Sequence, residues 1–235
     1  MNRVAKQQGF TLIELVLAMA FVSALLLAIA MTVIQVGSMY SRGMMLKEVN
    51  QTSRYISNDF IRSINAQSTV DLSTQLVPVM NGGLEVGGRL CLGSVSYIWN
   101  YGEAIQKGDS ALAKNADGEP VRIAKVVDAT KRYCAKSGGG MLRPSIIAAD
   151  RDQTSELLRE GDRTLELYQL DISSRATAQD PLTLQRLLTI QYTIGSGNYT
   201  ALNADRTACK GPNEPGSDIQ YCTVEQFNAT VRVKG

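Results

Sequence analysis

Apolar residues begin abruptly at Phe10, after the polar and basic opening Met-Asn-Arg-Val-Ala-Lys-Gln-Gln-Gly. Residues 15–41 carry no charge, a run of 27. A helix rises about 1.5 Å per residue, so roughly 20 residues cross the hydrocarbon core of a bilayer. Between residues 15 and 34 the polar side chains are Ser23 and Thr32. This segment is expected to span a membrane. A secretory signal peptide would have an apolar region of about 7–15 residues and a small-residue cleavage site, and the run here is too long for that. Beyond it the pattern turns amphipathic. Met45, Val49, Thr52, Ile56, Phe60 and Ile64 recur at spacings of three and four, while Arg42, Lys47, Glu48, Arg54, Asn58 and Arg62 take other faces. With no proline before Pro78, one helix is expected from Phe10 to about Ala66, roughly 85 Å long. Gly37 and Gly43 are its weakest points, each costing about 1 kcal/mol against alanine. The apolar stripe predicts packing against a head; a coiled-coil contact with a partner stem is the alternative.

After Ala66 the period shifts toward two. Val95, Tyr97, Trp99 and Tyr101 alternate with Ser94, Ser96, Ile98 and Asn100. Further strand signals lie at 121–127, at 165–170, in the set Leu184, Arg186, Leu188, Ile190, Tyr192 and Ile194, and in Phe227, Ala229, Val231 and Val233. About five strands of one antiparallel sheet with one buried face are expected. Turn signals separate them at Asn81-Gly82-Gly83, Asp117-Gly118, residues 137–140 and Gly195-Ser196-Gly197. Short helices are expected near 103–114 and 152–160. The fold class is α+β: a long N-terminal hydrophobic helix packed on an antiparallel head.

Composition narrows the chemistry. The 235 residues contain no histidine, which removes the commonest general base, metal ligand and pH switch. With no constellation of catalytic residues in view, the chain is read as not an enzyme and as needing no cofactor or metal. There are 24 Lys and Arg against 22 Asp and Glu, and loss of Arg3 and Lys6 with the first nine residues would leave 22 of each. Overall charge therefore gives no support to DNA as a partner. A local patch would have to come from Arg122, Lys125, Lys131 and Arg132, for which a solvated strand face is the plainer reading. Cys91, Cys134, Cys209 and Cys222 all follow the apolar segment and form no C-x-x-C pair. Two disulfides in an oxidising compartment are expected, with buried free thiols as the alternative. Four cysteines allow three pairings. Arg3 and Lys6 should hold the N-terminus in the cytoplasm and leave the remainder outside. Three N-x-[ST] matches, at Asn50, Asn198 and Asn228, are weak signals.

Glu14 is the anomaly. A charge at the bilayer centre costs about 2.5–3.5 kcal/mol, less near the interface. Its setting, Gly9-Phe10-Thr11-Leu12-Ile13-Glu14-Leu15 behind a basic leader, resembles the class III signal of type IV prepilins and type II secretion pseudopilins, and PilW-like (J-type) minor pilins in particular. The resemblance covers about the first 40 residues. It implies cleavage between Gly9 and Phe10 by a membrane-embedded prepilin peptidase, which also N-methylates the new Phe10 terminus. It implies a leader at 1–9, a transmembrane and assembly half of the stem at 10–36, an amphipathic half at 37–66 and a globular head at 67–235. It implies a C-terminal disulfide loop closed by Cys209 and Cys222, leaving Cys91 to pair with Cys134. Glu14 would serve assembly by pairing with the Phe10 amine of an adjacent stem. The partners implied are other pilins or pseudopilins through the N-terminal helix, the peptidase and N-methyltransferase, an inner-membrane assembly platform, and membrane lipid before assembly. The implied location is the bacterial cytoplasmic membrane, single-pass with the head outside, and then a pilus or pseudopilus. Major pilins often carry a proline in the spanning half, absent here, and the tip subunit of related systems lacks the glutamate, retained here. A minor pilin that initiates or decorates a type IV pilus is the first expectation. A J-type pseudopilin of a type II secretion system and a DNA-uptake or adhesion pilin are the alternatives.

Overall fold

The computed structural model describes residues 10–135, 145–158, 164–174, 185–218 and 221–234. A single helix, α1, runs from Leu12 to Asn65, 54 residues without a break, or about 81 Å. Neither Gly37 nor Gly43 interrupts it. Residues 10–40 are exposed apart from half-buried Ser38, whereas Met45, Val49, Ser53, Ile56, Phe60, Ser63 and Ile64 are buried. The expected stripe therefore exists, with one substitution: Ser53, not half-buried Thr52, lies on its axis. A serine is acceptable there because its hydroxyl donates to Tyr192 Oη at 2.8 Å, which removes the penalty of an unpaired buried polar group.

The head holds eight strands among the described residues, in two sheets rather than the single five-stranded sheet expected. The first sheet has the order β1-β2-β3-β4-β5: β1 (Leu76–Asn81), β2 (Leu84–Leu92), β3 (Val95–Asn100), β4 (Ile123–Val127) and β5 (Thr154–Glu156). The second has the order β6-β7-β8: β6 (Leu165–Ser174), β7 (Gln185–Ser196) and β8 (Val224–Lys234). All pairings are antiparallel. The hairpin joining β1 to β2 turns on Gly82 and Gly83, at φ 57° and 84°, the left-handed conformation at both central positions that a two-residue hairpin of this twist requires. Pro78 is tolerated because β1 is an edge strand. At Gly88 the Trp99 ring occupies the space a Cβ would need, 2.3 Å from the built position.

One hydrophobic core takes residues from the stem and both sheets. Ile56, Phe60 and Ile64 of α1 join Leu90, Tyr97 and Trp99 of the first sheet and Leu167, Ile190, Tyr192 and Val231 of the second. Phe60 stacks on Tyr97 with ring centroids 4.4 Å apart. Contrary to expectation, β3 is buried on both faces: Ile98 packs with Ala113, Val121, Ala124, Val126, Tyr133 and Ile146 in a second cluster. Tyr101 lies beyond the strand, at the N-cap of α2's successor α3 (α2 spans Leu72–Gln75, α3 Gly102–Lys107). The helix expected near 103–114 is thus only six residues long and stops at Gly108, φ 65°. The helix expected at 152–160 is replaced by a 3-10 turn, Ala148–Gln153, followed by β5. Pairing β5 with β4 buries Leu157 and Leu158, and the Arg122 and Ile123 amides donate to Glu156 Oε1 at 2.8 and 3.2 Å. The turn signal at 137–140, Leu184 and residues 159–160 lie outside the described residues.

Asp128, 1% exposed, organises the segment after β4. Its carboxylate accepts from Ser96 Oγ at 2.8 Å, Arg132 N at 3.0 Å and Tyr133 N at 3.2 Å. Burial alone would raise its pKa, but these bonds outweigh it and hold the carboxyl below its ordinary value. A carboxyl depressed in the folded state contributes stability that is present above its unfolded pKa and lost as pH falls through the folded one. With an ordinary aspartate near pH 3.9, the contribution is expected to be complete above about pH 5 and to fade below about pH 4. Chemical unfolding from pH 7 to 3 should find Asp128→Asn less stable at neutrality, with the gap to the unsubstituted protein closing in acid. A gap that stays constant with pH would show that charge is not what Asp128 contributes.

Candidate functional site

The N-terminal end of α1 is built by its own sequence. Thr11 is the N-cap, with extended backbone angles of φ −76° and ψ 148°. Its hydroxyl accepts from Glu14 N at 3.4 Å, and in return Glu14 Oε2 accepts from Thr11 N at 2.9 Å and from Thr11 Oγ1 at 2.7 Å. This is the reciprocal capping box that a Thr-x-x-Glu spacing encodes. Glu14 is the expected site residue here; Thr11 is an additional one, signalled in the sequence by the Thr-x-x-Glu spacing. A carboxylate in the first turn also faces the positive end of the helix dipole. Both donors converge on Oε2, and Oε1 has no partner among the described residues. Phe10, just before the cap, is 88% exposed; Gly9 lies outside the described residues.

Above the cap, α1 is the helix among the described residues that is long and apolar enough to cross a membrane, and none of its most apolar window is buried against the head. Its two interruptions are self-satisfied: Ser23 Oγ donates to Met19 O at 2.8 Å and Thr32 Oγ1 to Ala28 O at 2.7 Å. Such back-bonding hides a hydroxyl where no water is at hand.

Polar contacts tie the upper stem to each sheet. Tyr97 Oη donates to Asp59 Oδ2 at 2.6 Å and lies 2.6 Å from Ser63 Oγ, while Lys125 Nζ is 2.9 Å from Asp59 Oδ1. Tyr192 Oη donates to Ser53 O at 2.7 Å and is bonded to Ser57 Oγ. Burial pushes both phenols above their ordinary pKa, and the hydrogen bond that Tyr97 donates to Asp59 adds to its rise.

Cys91 is bonded to Cys134 and Cys209 to Cys222, with Cα separations of 6.2 and 6.0 Å. The first ties β2 to the Asp128 segment. The second closes the loop before β8, where Cys222 packs with Tyr168, Ala201 and Leu202. The candidate basic patch is largely neutralised: Arg122 pairs with Glu166 at 3.4 Å, Lys125 with Asp59, and Arg132 with Asp128 and Asp150 at 3.6 and 3.4 Å. Tyr97 and Trp99 lie in the core, not on a surface where they could stack on a ligand. Among the described residues no group of three or more His, Cys, Asp and Glu side chains is placed to hold a metal ion. The chemistry on view is therefore that of one carboxylate at the head of an exposed apolar helix. No family model, curated protein or solved structure matches this chain.

Proposed function

We propose that this chain is a filament subunit, a minor pilin of a type IV pilus, anchored in the bacterial cytoplasmic membrane before assembly and without enzymatic activity. The observation that carries the reading is the unbroken helix whose exposed apolar half opens on a capping-box glutamate immediately after the Gly9 and Phe10 junction. Cleavage there would free a cationic amine on Phe10, two residues before the helix begins. Glu14 Oε2 would keep its own helix capped while Oε1 receives the Phe10 amine of a neighbouring stem. Away from water such a pair is strongly favoured over either charge alone.

The direct test is co-expression with a prepilin peptidase, followed by N-terminal sequencing and intact mass. The mature chain should begin at Phe10 and carry one added methyl group, and a Gly9→Leu variant should remain full length. Cleavage at another bond, or none, would remove the reading. In the native host, deletion should abolish surface fibres and leave type II secretion intact; the reverse outcome would assign the chain to a J-type pseudopilus.

A further inference from the structure

The face of the upper stem opposite the core carries charge of one sign. Lys47, Gln51, Arg54, Asn58, Arg62 and Asn65 recur at spacings of four, three, four, four and three, and all are exposed. At 3.6 residues per turn they form a single stripe about 27 Å long. It lies opposite Met45, Val49, Ser53, Ile56 and Phe60, the residues buried by the head. The stripe holds three cations, three amides and no carboxylate. Lys47, Arg54 and Arg62 have no ion-pair or hydrogen-bonding side-chain partner among the described residues. What sets this row apart is its alignment on one helix face with no carboxylate in it.

The apolar half of α1 runs straight into this stripe without a kink. Any stem that packs on the lower half is carried up against the upper half. A second copy in parallel would set Lys47, Arg54 and Arg62 against the same three cations, and like charges across an interface are penalised. Nor does the upper stem of a second copy offer an acidic face in return. Asp59 is already held by Lys125 and Tyr97, and Glu156 by two backbone amides. That leaves Glu48 as the spare carboxylate of the upper stem among the described residues. We infer that this face receives the upper stem of a different subunit, one bearing an acidic face, and that it selects against a second copy of this chain. The inference rests on the filament reading above.

The test places a photo-reactive phenylalanine at Asn58, and separately at Phe21, in the full-length chain in its native membrane. The Phe21 adduct reads stem packing itself, so its absence would overturn the filament reading. With that adduct present, the Asn58 probe should be joined to a helical peptide of a different membrane-anchored protein rich in Asp and Glu. The triple variant K47E/R54E/R62E should lower that adduct by roughly tenfold, the combined effect of three surface ion pairs, and leave the Phe21 adduct unchanged. Unfolding followed by Trp99 fluorescence would verify that the triple variant is folded. Asn58 adducts to the chain's own copy, to lipid or to nucleic acid, or an adduct indifferent to the three reversals, would overturn the inference.

Discussion

Glu14→Gln should be cleaved and methylated normally yet enter filaments about a hundredfold less than the unsubstituted chain. Under the proposed function, the substitution separates the observed capping role of the carboxylate from its proposed pairing with a neighbouring amine. A glutamine at the third helical position can still accept from Thr11 N and Thr11 Oγ1, so the cap survives. What it cannot do is neutralise a cation. Breaking one side of a desolvated ion pair costs about 3–5 kcal/mol because the remaining charge is stranded, and every 1.4 kcal/mol is about a factor of ten. Here the stranded charge is the Phe10 amine of the adjoining stem. Glu14→Ala should show the same defect plus a loosened first turn, since it removes the cap as well. Quantifying each variant in sheared filaments against its membrane pool gives the ratio. Incorporation of Glu14→Gln at the unsubstituted level would show that capping, not charge pairing, is the reason for the carboxylate.

The stem was legible because its signals are local: an apolar run, an amphipathic stripe beyond it, and no proline to stop the helix before Ala66. The cysteine pairs were not legible in this way: four cysteines allow three pairings, and the one observed, Cys91 with Cys134 and Cys209 with Cys222, was expected only through the resemblance to pilins. The division of the head into two sheets was not legible. β3 and β7 both alternate, and which neighbour each takes is decided by partners tens of residues away. The β1–β2 hairpin was hidden by its own composition. Pro78 and the Gly87-Gly88 pair argue against strands on propensity, and they are tolerated only because β1 is an edge and Trp99 fills the space over Gly88. Nothing in the sequence marks Ser53 as buried, because the hydrogen bond that makes its burial acceptable is made with Tyr192, 139 residues on. Lys47, Arg54 and Arg62 were seen as charges off the apolar face, but that they line up unpaired depends on where the head leaves the helix bare.

Phe60→Ala should destabilise the head by about 3–5 kcal/mol, the usual loss for a fully buried aromatic ring. Phe60 is 0% exposed, stacks on Tyr97, and belongs to the core that takes side chains from both sheets. A domain of ordinary stability has only about 5–15 kcal/mol in total, so the variant would be near the edge of folding at 37 °C. Tyr97→Phe is expected to cost less, about 1–3 kcal/mol, because it keeps the stack and leaves Asp59 bonded to Lys125. Phe21→Ala, at a residue 70% exposed in the apolar half, should change head stability by less than about 0.5 kcal/mol. Trp99, the one tryptophan in the chain, sits in the same core and reports all three by its emission during denaturant unfolding in detergent. Equal midpoints for Phe60→Ala and Phe21→Ala would mean that stem and head unfold separately. A shared transition has a mechanical consequence for a filament subunit: a head that melts with its stem cannot slide along it. In the proposed filament, an axial position set at Glu14 would reach the head through a stem that forms part of the head's own core.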